Sequence, residues 1–408
     1  MKKVMATVAA VAMVGLTLAG CSSAGSGSGK VTLTFQNQFS DTESAEIKTL
    51  VGEYESAHPN VTINLVRDND ASYYDKLVTQ IAAGKGPDIV RLEPPKVSQY
   101  AASGFLAPVD SALSAKSDYF ANTIAAATKG GHVYGLPQDV STLALFYRKD
   151  LFQAAGISAA PSTWEELKAD AAKLSGNGKY GIGLFGGWGA YEFYPWLWQS
   201  GAEVLNSEGT KATFDSSDAV RALTLWTDLQ KSSMPAGMAA ATEDDVRGPF
   251  VNGTVAMFTS GPYMTSTLAG SGLKADQWGV APLPKDKVSA SVLGGMDLAV
   301  LKNSKNQAAA LDFLKWFGSD KVQTTWASAL HYVPAKKSLY DSAPFKTDPT
   351  ISAFGAIIAS SKSRPTVAKA ADVDSALGNA VAAALSGSAT PEDALKQAVE
   401  KANTALNG

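Results

Sequence analysis

From Val31 onward, apolar and polar positions follow two alternating periods. Val31-Thr-Leu-Thr-Phe35 changes face at every residue, the pattern of a half-buried strand, and Val61-Thr-Ile-Asn-Leu-Val66 repeats it. Between them Ile47, Leu50, Val51 and Tyr54 fall at i, i+3, i+4 and i+7, one face of a helix that Ser40-x-x-Glu43 caps. A helix over Tyr73 to Ala83 and the short apolar Asp88-Ile-Val-Arg-Leu92 continue the alternation. Downstream, Thr163-x-x-Glu166 opens a helix carrying Trp164, Leu167 and Leu174. Pro391 starts a last helix whose face is Leu395, Ala398, Val399, Ala402 and Leu406. Strand and helix in turn predict an α/β fold with a mostly parallel sheet. Nearly 380 residues of this pattern exceed the usual size of one core, so two lobes with a ligand between them are expected.

The first thirty residues follow neither period. Lys2 and Lys3 precede an uncharged stretch from Val4 to Leu18, and Leu18-Ala19-Gly20-Cys21 follows at once. Fifteen residues make roughly 22 Å of helix, short of the ~30 Å hydrocarbon core, and no charged stop-transfer flank follows. The segment therefore reads as a signal peptide over 1–20 rather than a membrane span. Leu-Ala-Gly-Cys looks like a bacterial lipobox, which makes Cys21 the lipidated first residue of the mature chain. Residues 21–29 contain the run SSAGSGSG and read as a flexible tether with a reach of roughly 16 Å.

Composition narrows the chemistry. The 408 residues carry 18% charged side chains and a net charge of −3, which becomes −5 once Lys2 and Lys3 leave with the signal peptide. That balance excludes a chain built to neutralise nucleic-acid phosphates. The single cysteine allows no intramolecular disulfide, and the three histidines, His58, His132 and His331, have no Cys or Glu at ligand spacing, so no metal site is expected. There is no G-x-S-x-G elbow, Walker A or H-E-x-x-H motif. Gly181-x-Gly183-x-x-Gly186 matches a dinucleotide fingerprint. A capped helix and the Gly176-Asn-Gly178 turn precede it, however, and its glycines flank Ile182 and Leu184 as if within a strand, so no nucleotide cofactor is inferred.

The densest local signal lies between Trp188 and Trp198, where six of eleven residues are aromatic against 9% in the whole chain. Phe193, Trp196 and Trp198 are expected on a buried helix. Trp188 and Tyr191 sit among Gly186, Gly187 and Gly189, in a loop where rings gain little from packing and can stack on the C–H faces of a sugar.

Several segments together resemble the maltodextrin-binding-protein-like family, the solute-binding lipoproteins of ATP-driven sugar importers. They are Tyr74 to Asp88, Gly104-Phe-Leu-Ala-Pro-Val-Asp110, Val133-Tyr-Gly-Leu-Pro137 with Phe146 to Phe152, Pro161-Ser-Thr-Trp-Glu-Glu-Leu167, Gly201 to Leu205, Phe250 to Met257 with Gly261-Pro-Tyr263, and Trp278-Gly-Val-Ala-Pro-Leu-Pro284. The resemblance implies a periplasmic-binding-protein-like fold of two lobes with three hinge crossings, near Pro137–Val140, Val280–Pro284 and Ala329–Val333. The N-terminal lobe would take 30–138 plus 285–329 and the C-terminal lobe 140–279 plus 333–408. It also implies a monomeric, non-catalytic receptor outside the cell membrane. Its partners would be a mono- to oligosaccharide and ABC permease subunits, with membrane contact through the lipid anchor only.

Residue by residue, the resemblance places Tyr191 and Tyr263 where relatives stack sugars, Tyr263 standing for the tryptophan of a Gly-Pro-Trp. Glu93, Gln138 and Asp139 fall in its cleft loops, where a carboxylate can accept charge-assisted bonds from sugar hydroxyls. Gln38, the Gly295-Met296-Asp297 run and Arg364 are further candidates; Asp297 could equally cap a turn, and Arg364 could fork two hydroxyls or pair an acid. The chain departs from the maltodextrin-binding pattern at Leu92, Pro95 and Asp374, where aromatics or an acid are expected. A di- or trisaccharide therefore fits better than long maltodextrin. A polyol or glycerol phosphate is the alternative within the binding class. A glycoside hydrolase using Glu93 and Asp139 is the alternative outside it.

Overall fold

The computed structural model describes residues 29–408 apart from Ala71; the signal peptide, Cys21 and nearly all of the tether lie outside the described residues. Among the described residues twelve strands occur in chain order: β1 (Val31–Asn37), β2 (Val61–Arg67), β3 (Ile89–Leu92), β4 (Leu106–Ala107), β5 (Thr128–Lys129), β6 (His132–Val133), β7 (Leu136–Thr142), β8 (Ala144–Arg148), β9 (Met257–Ser260), β10 (Trp278–Ala281), β11 (Ser291–Leu301) and β12 (Ser361–Lys362). The first lobe is built on β2-β1-β3-β11. Its core-facing helix Asp41–Ala57 buries Ile47, Leu50, Val51 and Tyr54, and the Ser40–Glu43 capping box closes reciprocally. The stripe and cap read from the sequence thus fix one helix end and one helix face.

The second lobe has a smaller sheet, β10-β8-β9, antiparallel throughout. Around it, helices Ala370–Leu385 and Pro391–Asn407 pack on each other and on Ser217–Ser232. Pro391 occupies the first turn and Thr390 caps it, while Ala394, Leu395, Ala398, Val399 and Ala402 are buried. The apparent nucleotide fingerprint is an extended segment in this lobe, bridging Tyr180 to Val255 and Gly183 to Phe258. A Cβ on Gly181 would stand 2.2 Å from the Ala171 carbonyl oxygen and one on Gly183 2.5 Å from Val246. Close packing against a helix backbone at Gly181 and against the Val246 side chain at Gly183, not a phosphate, accounts for those glycines.

Two expectations need correction. The large sheet is mixed: β2, β1 and β3 are parallel and β12 is parallel to the start of β11, but β11 runs antiparallel to β3, β4 and β7. The crossing expected near Val280–Pro284 lies further along the chain. Trp278–Ala281 stays in the small sheet on β8 and Lys285 bridges Thr163, whereas β11 starts beside β12 and Leu143 and ends on β3 in the first lobe. One eleven-residue strand can serve both lobes because a register irregularity between Met296 and Asp297 bends it. At the bend Gly295 has φ +102°, and a Cβ there would meet the Asp139 carbonyl oxygen at 2.5 Å. The close approach and the left-handed backbone both require glycine. β7 is the second passage between lobes, and Val333 makes the third beside it, as an isolated bridge to Val140. A buried hydroxyl knot ties this hinge: Thr142 Oγ1 donates to Ser291 Oγ at 2.9 Å and lies 2.6 Å from Ser361 Oγ.

Candidate functional site

A cleft of about 470 Å³ lies where β3, β7 and β11 meet the glycine-rich loops of the second lobe. Its first-lobe floor is ionic. Arg91, an arginine inside the otherwise apolar β3, is buried, and its Nη2 donates to Glu43 Oε1 at 2.6 Å while Nε donates to Gln138 Oε1 at 2.8 Å. Its guanidinium lies 4.6 Å from the Phe39 ring centroid. Asp139 sits 3.5 Å from the same Nη2, and its Oδ2 has no hydrogen-bond partner. Burial pushes the Asp139 carboxyl up to about 6, Arg91 opposing and Glu43 adding to the shift. Asp297 is pushed up to about 8 by burial and then by Asp139. Glu43 serves twice: Oε2 accepts from the Ser40 N–H at 2.8 Å to cap its helix, and Oε1 holds Arg91.

The second-lobe wall is aromatic and rests on close backbone packing. The N–H of Gly186 donates to Met238 O and that of Gly187 to Ala241 O, both at 2.9 Å. A Cβ on either glycine would come within 2.6 Å of a backbone oxygen. This presents Trp188 at 37% exposure, edge-on to Phe185 at 5.1 Å between centroids. Tyr191 follows half-buried, with the Arg364 guanidinium 5.1 Å from its ring centroid. Tyr263, beyond β9, donates its phenol to Glu243 Oε1 at 3.0 Å, and Ser260 donates to the same oxygen. Burial raises the Glu243 carboxyl and pushes that of Glu192, bound only by Thr259, well above the usual range. Phe193, Trp196 and Trp198 are buried, as their helical placement predicts.

Of the residues singled out in the sequence, Glu93, Asp139, Trp188, Tyr191, Tyr263, Gly295, Met296 and Arg364 line the cleft. Three do not. Gln138 is 1% exposed and spends its side chain on Arg91, and Asp297 is buried between the registers of Leu92 and Pro137. Gln38 lines a neighbouring cavity that shares Arg91, Glu93 and Met296 with the cleft. Arg364, for which forking and pairing were equal possibilities, pairs Glu93. Glu43, Arg91, Ser141 and Tyr332 also line the cleft and were not anticipated. The arginine in the apolar run Ile89–Leu92 was the available signal, because a charge in a strand buried on both faces needs partners. Among the described residues no group of three or more His, Cys, Asp or Glu could hold a metal, and no helix is long and apolar enough to cross a membrane.

The chain is similar over most of its length to known binding proteins. It is 25% identical over 372 residues to the galactooligosaccharide-binding protein of Bacillus subtilis, covering 87% of this chain and 85% of that one. The GacH receptor of Streptomyces glaucescens, a structure determined unliganded and with acarbose, superimposes with a TM-score of 0.83 at 28% identity, over 93% of this chain and 99% of the other. The maltose-bound MalE3 of T. maritima gives 0.82 at 28% identity, over 92% and 99%. The family model of the bacterial extracellular solute-binding proteins matches residues 40–324. With its two lobes, its three passages between them and one cleft where they meet, the chain belongs to that family.

Proposed function

We propose that the protein captures a short sugar, a di- or trisaccharide, between its lobes outside the cell membrane and delivers it to an ABC importer. In this reading lipidated Cys21 anchors it and the lobes hinge at β7, β11 and Val333. The observation that carries the reading is the pairing of surfaces across one cleft: carboxylates and an arginine on the first lobe, Trp188, Tyr191 and Tyr263 on the second. A sugar ring has apolar C–H faces and an equatorial rim of hydroxyls that both donate and accept. Rings on one wall and the Asp139 carboxylate on the other suit those two parts of the ligand. Micromolar affinity needs only about −8 kcal/mol, within reach of two stacked rings and a few charge-assisted bonds after the cost of closure. The names of the similar proteins, which include galactooligosaccharide, acarbose and maltose, support the class of ligand.

A phosphate-bearing solute is less well suited, since both cleft arginines already have carboxylate partners, Arg91 with Glu43 and Arg364 with Glu93. Thermal melts against α- and β-linked di- and trisaccharides, with sn-glycerol 3-phosphate and polyols as comparators, test the reading. A rise in melting temperature with at least one sugar is expected. A rise with glycerol phosphate alone would overturn it. Chromatography after incubation should return the sugar intact, and release of monosaccharide would instead make the protein a hydrolase.

A further inference from the structure

Glu43 stands at the third position of the first-lobe helix Asp41–Ala57 and is buried. The cap uses only its Oε2, and glutamine serves in a capping box as well as glutamate, so the helix alone does not explain a charged side chain here. The other oxygen gives a reason. Arg91 comes from β3, and its Nη2 donates to Glu43 Oε1 at 2.6 Å while Nε donates to Gln138 Oε1 at 2.8 Å. The same Nη2 lies 3.5 Å from Asp139 Oδ2, an ion contact beyond the length of a good hydrogen bond. Two carboxylates thus flank one guanidinium, and the one that holds it is the helix cap.

All three groups are nearly sealed from water, where the choice of partner counts for more than it does at a surface. The titratable groups facing Asp139 come from four elements: Glu43 from the helix, Arg91 from β3, Asp297 from β11 and Tyr332 from the third passage. Arg91 is the only cation among them, and its hydrogen bonds go to Glu43 and Gln138. Asp139 is left poorly compensated, in keeping with a carboxyl that burial pushes up to about 6 in spite of Arg91. We propose that Glu43 is a positioning residue for the ligand site: by taking the Arg91 guanidinium on its Oε1 it stops that cation from closing on Asp139, and leaves the Asp139 carboxylate to a ligand hydroxyl. Without the charge at position 43, Nη2 turns its hydrogen bond to Asp139 and neutralises that acceptor before a ligand arrives. The inference rests on the sugar reading above and deepens it.

Carbon-13 NMR titration of the aspartate carboxyls in the ligand-free protein tests it, with Asp139→Asn identifying the Asp139 signal. The wild-type midpoint should lie at about 6, and Glu43→Gln, which keeps the capping oxygen and removes the charge, should lower it by at least about one unit. Ser40→Ala weakens the cap alone, so it should lower the melting temperature and leave the midpoint in place. Calorimetry with a sugar that binds reads the consequence. Affinity should drop about tenfold from pH 7.5 to pH 5 in the wild type but only about twofold in Glu43→Gln, as the ionised fraction of Asp139 dictates. A midpoint that Glu43→Gln leaves unmoved overturns the proposal, and so does a moved midpoint with the tenfold span in affinity unchanged. A wild-type midpoint at the roughly 3.9 of an exposed aspartate overturns it without any variant, which decides the matter even if Glu43→Gln fails to fold. Absence of heat with every sugar in the wild type overturns the sugar reading, while the carboxyl titration, which needs no ligand, still decides whether Glu43 holds Arg91 off Asp139.

Discussion

On the first-lobe side of the cleft the groups facing a ligand are ions held by other ions: Arg91 between Glu43 and Asp139, with Gln138 behind. On the second-lobe side they are rings held by backbone: Trp188 and Tyr191 follow glycines whose Cβ, if present, would meet main-chain oxygens of residues 239–241, and a Cβ on Gly378 would stand 2.8 Å from the Gly189 Cα. The contrast has consequences for what each side can contribute. A buried ionic floor makes direction-specific bonds and is sensitive to pH and to loss of a single partner. A wall of rings contributes area and tolerates a range of hydroxyl patterns, and the rings themselves are uncharged near neutrality.

Removing the floor's only cation separates the two most sharply. Arg91→Met should lower stability by about 3–5 kcal/mol in denaturant unfolding, because Glu43 and Asp139 are left buried without a counter-charge. A loss under about 1 kcal/mol would mean that water already screens the floor. Next in size, Tyr191→Ala should weaken sugar binding by about ten- to a hundredfold in calorimetry while leaving the pH dependence of binding as it was. A change in that dependence would tie the wall to the floor.

The floor has a pH response of its own, beside that of the buried Glu192 and Glu243 behind the wall. Asp139 and Asp297 titrate at about 6 and about 8 in the folded protein, above the roughly 3.9 of an unfolded aspartate. Between those values the native state binds more protons than the unfolded one, so stability falls as pH rises, through about 6 for Asp139 and through about 8 for Asp297. Asp297→Asn should flatten the upper part of this decline in melts taken from pH 6 to 9. Sugar binding should run the other way. A hydroxyl donating to ionised Asp139 favours the carboxylate, so affinity should fall as pH drops below about 6. The smallest effect is expected at Tyr263→Phe: its hydroxyl is occupied by Glu243, so the variant should lose about 1 kcal/mol of stability and change affinity less than about twofold.

The same contrast explains what could be read in the sequence. Periodic elements were legible, since burial in the helix Asp41–Ala57 follows its 3.6-residue stripe and the caps at Ser40, Thr163 and Thr390 are local. The aromatic wall was legible too, because Gly186-Gly187-Trp188-Gly189 is a dense local signal. The floor was only half legible. Glu43 read as a capping residue, and nothing in the chain order says that its second oxygen meets an arginine 48 residues on. Tyr332 reaches the cleft through the third passage, a tertiary event with no periodic trace. The misplaced crossing has a similar cause: Val280–Pro284 is apolar and proline-punctuated, whereas the strand that passes between the lobes has Gly294-Gly295 near its middle, which reads as a turn until the close approach to β7 is known.

The central claim is that a sugar lies between the ionic floor and the aromatic wall, and calorimetric titration of the wild type with a di- and trisaccharide panel at pH 7.5 tests it most directly. The account predicts saturable heat with at least one member, at micromolar affinity and with a negative heat-capacity change from the burial of ring faces. No heat with any sugar across the panel would contradict it.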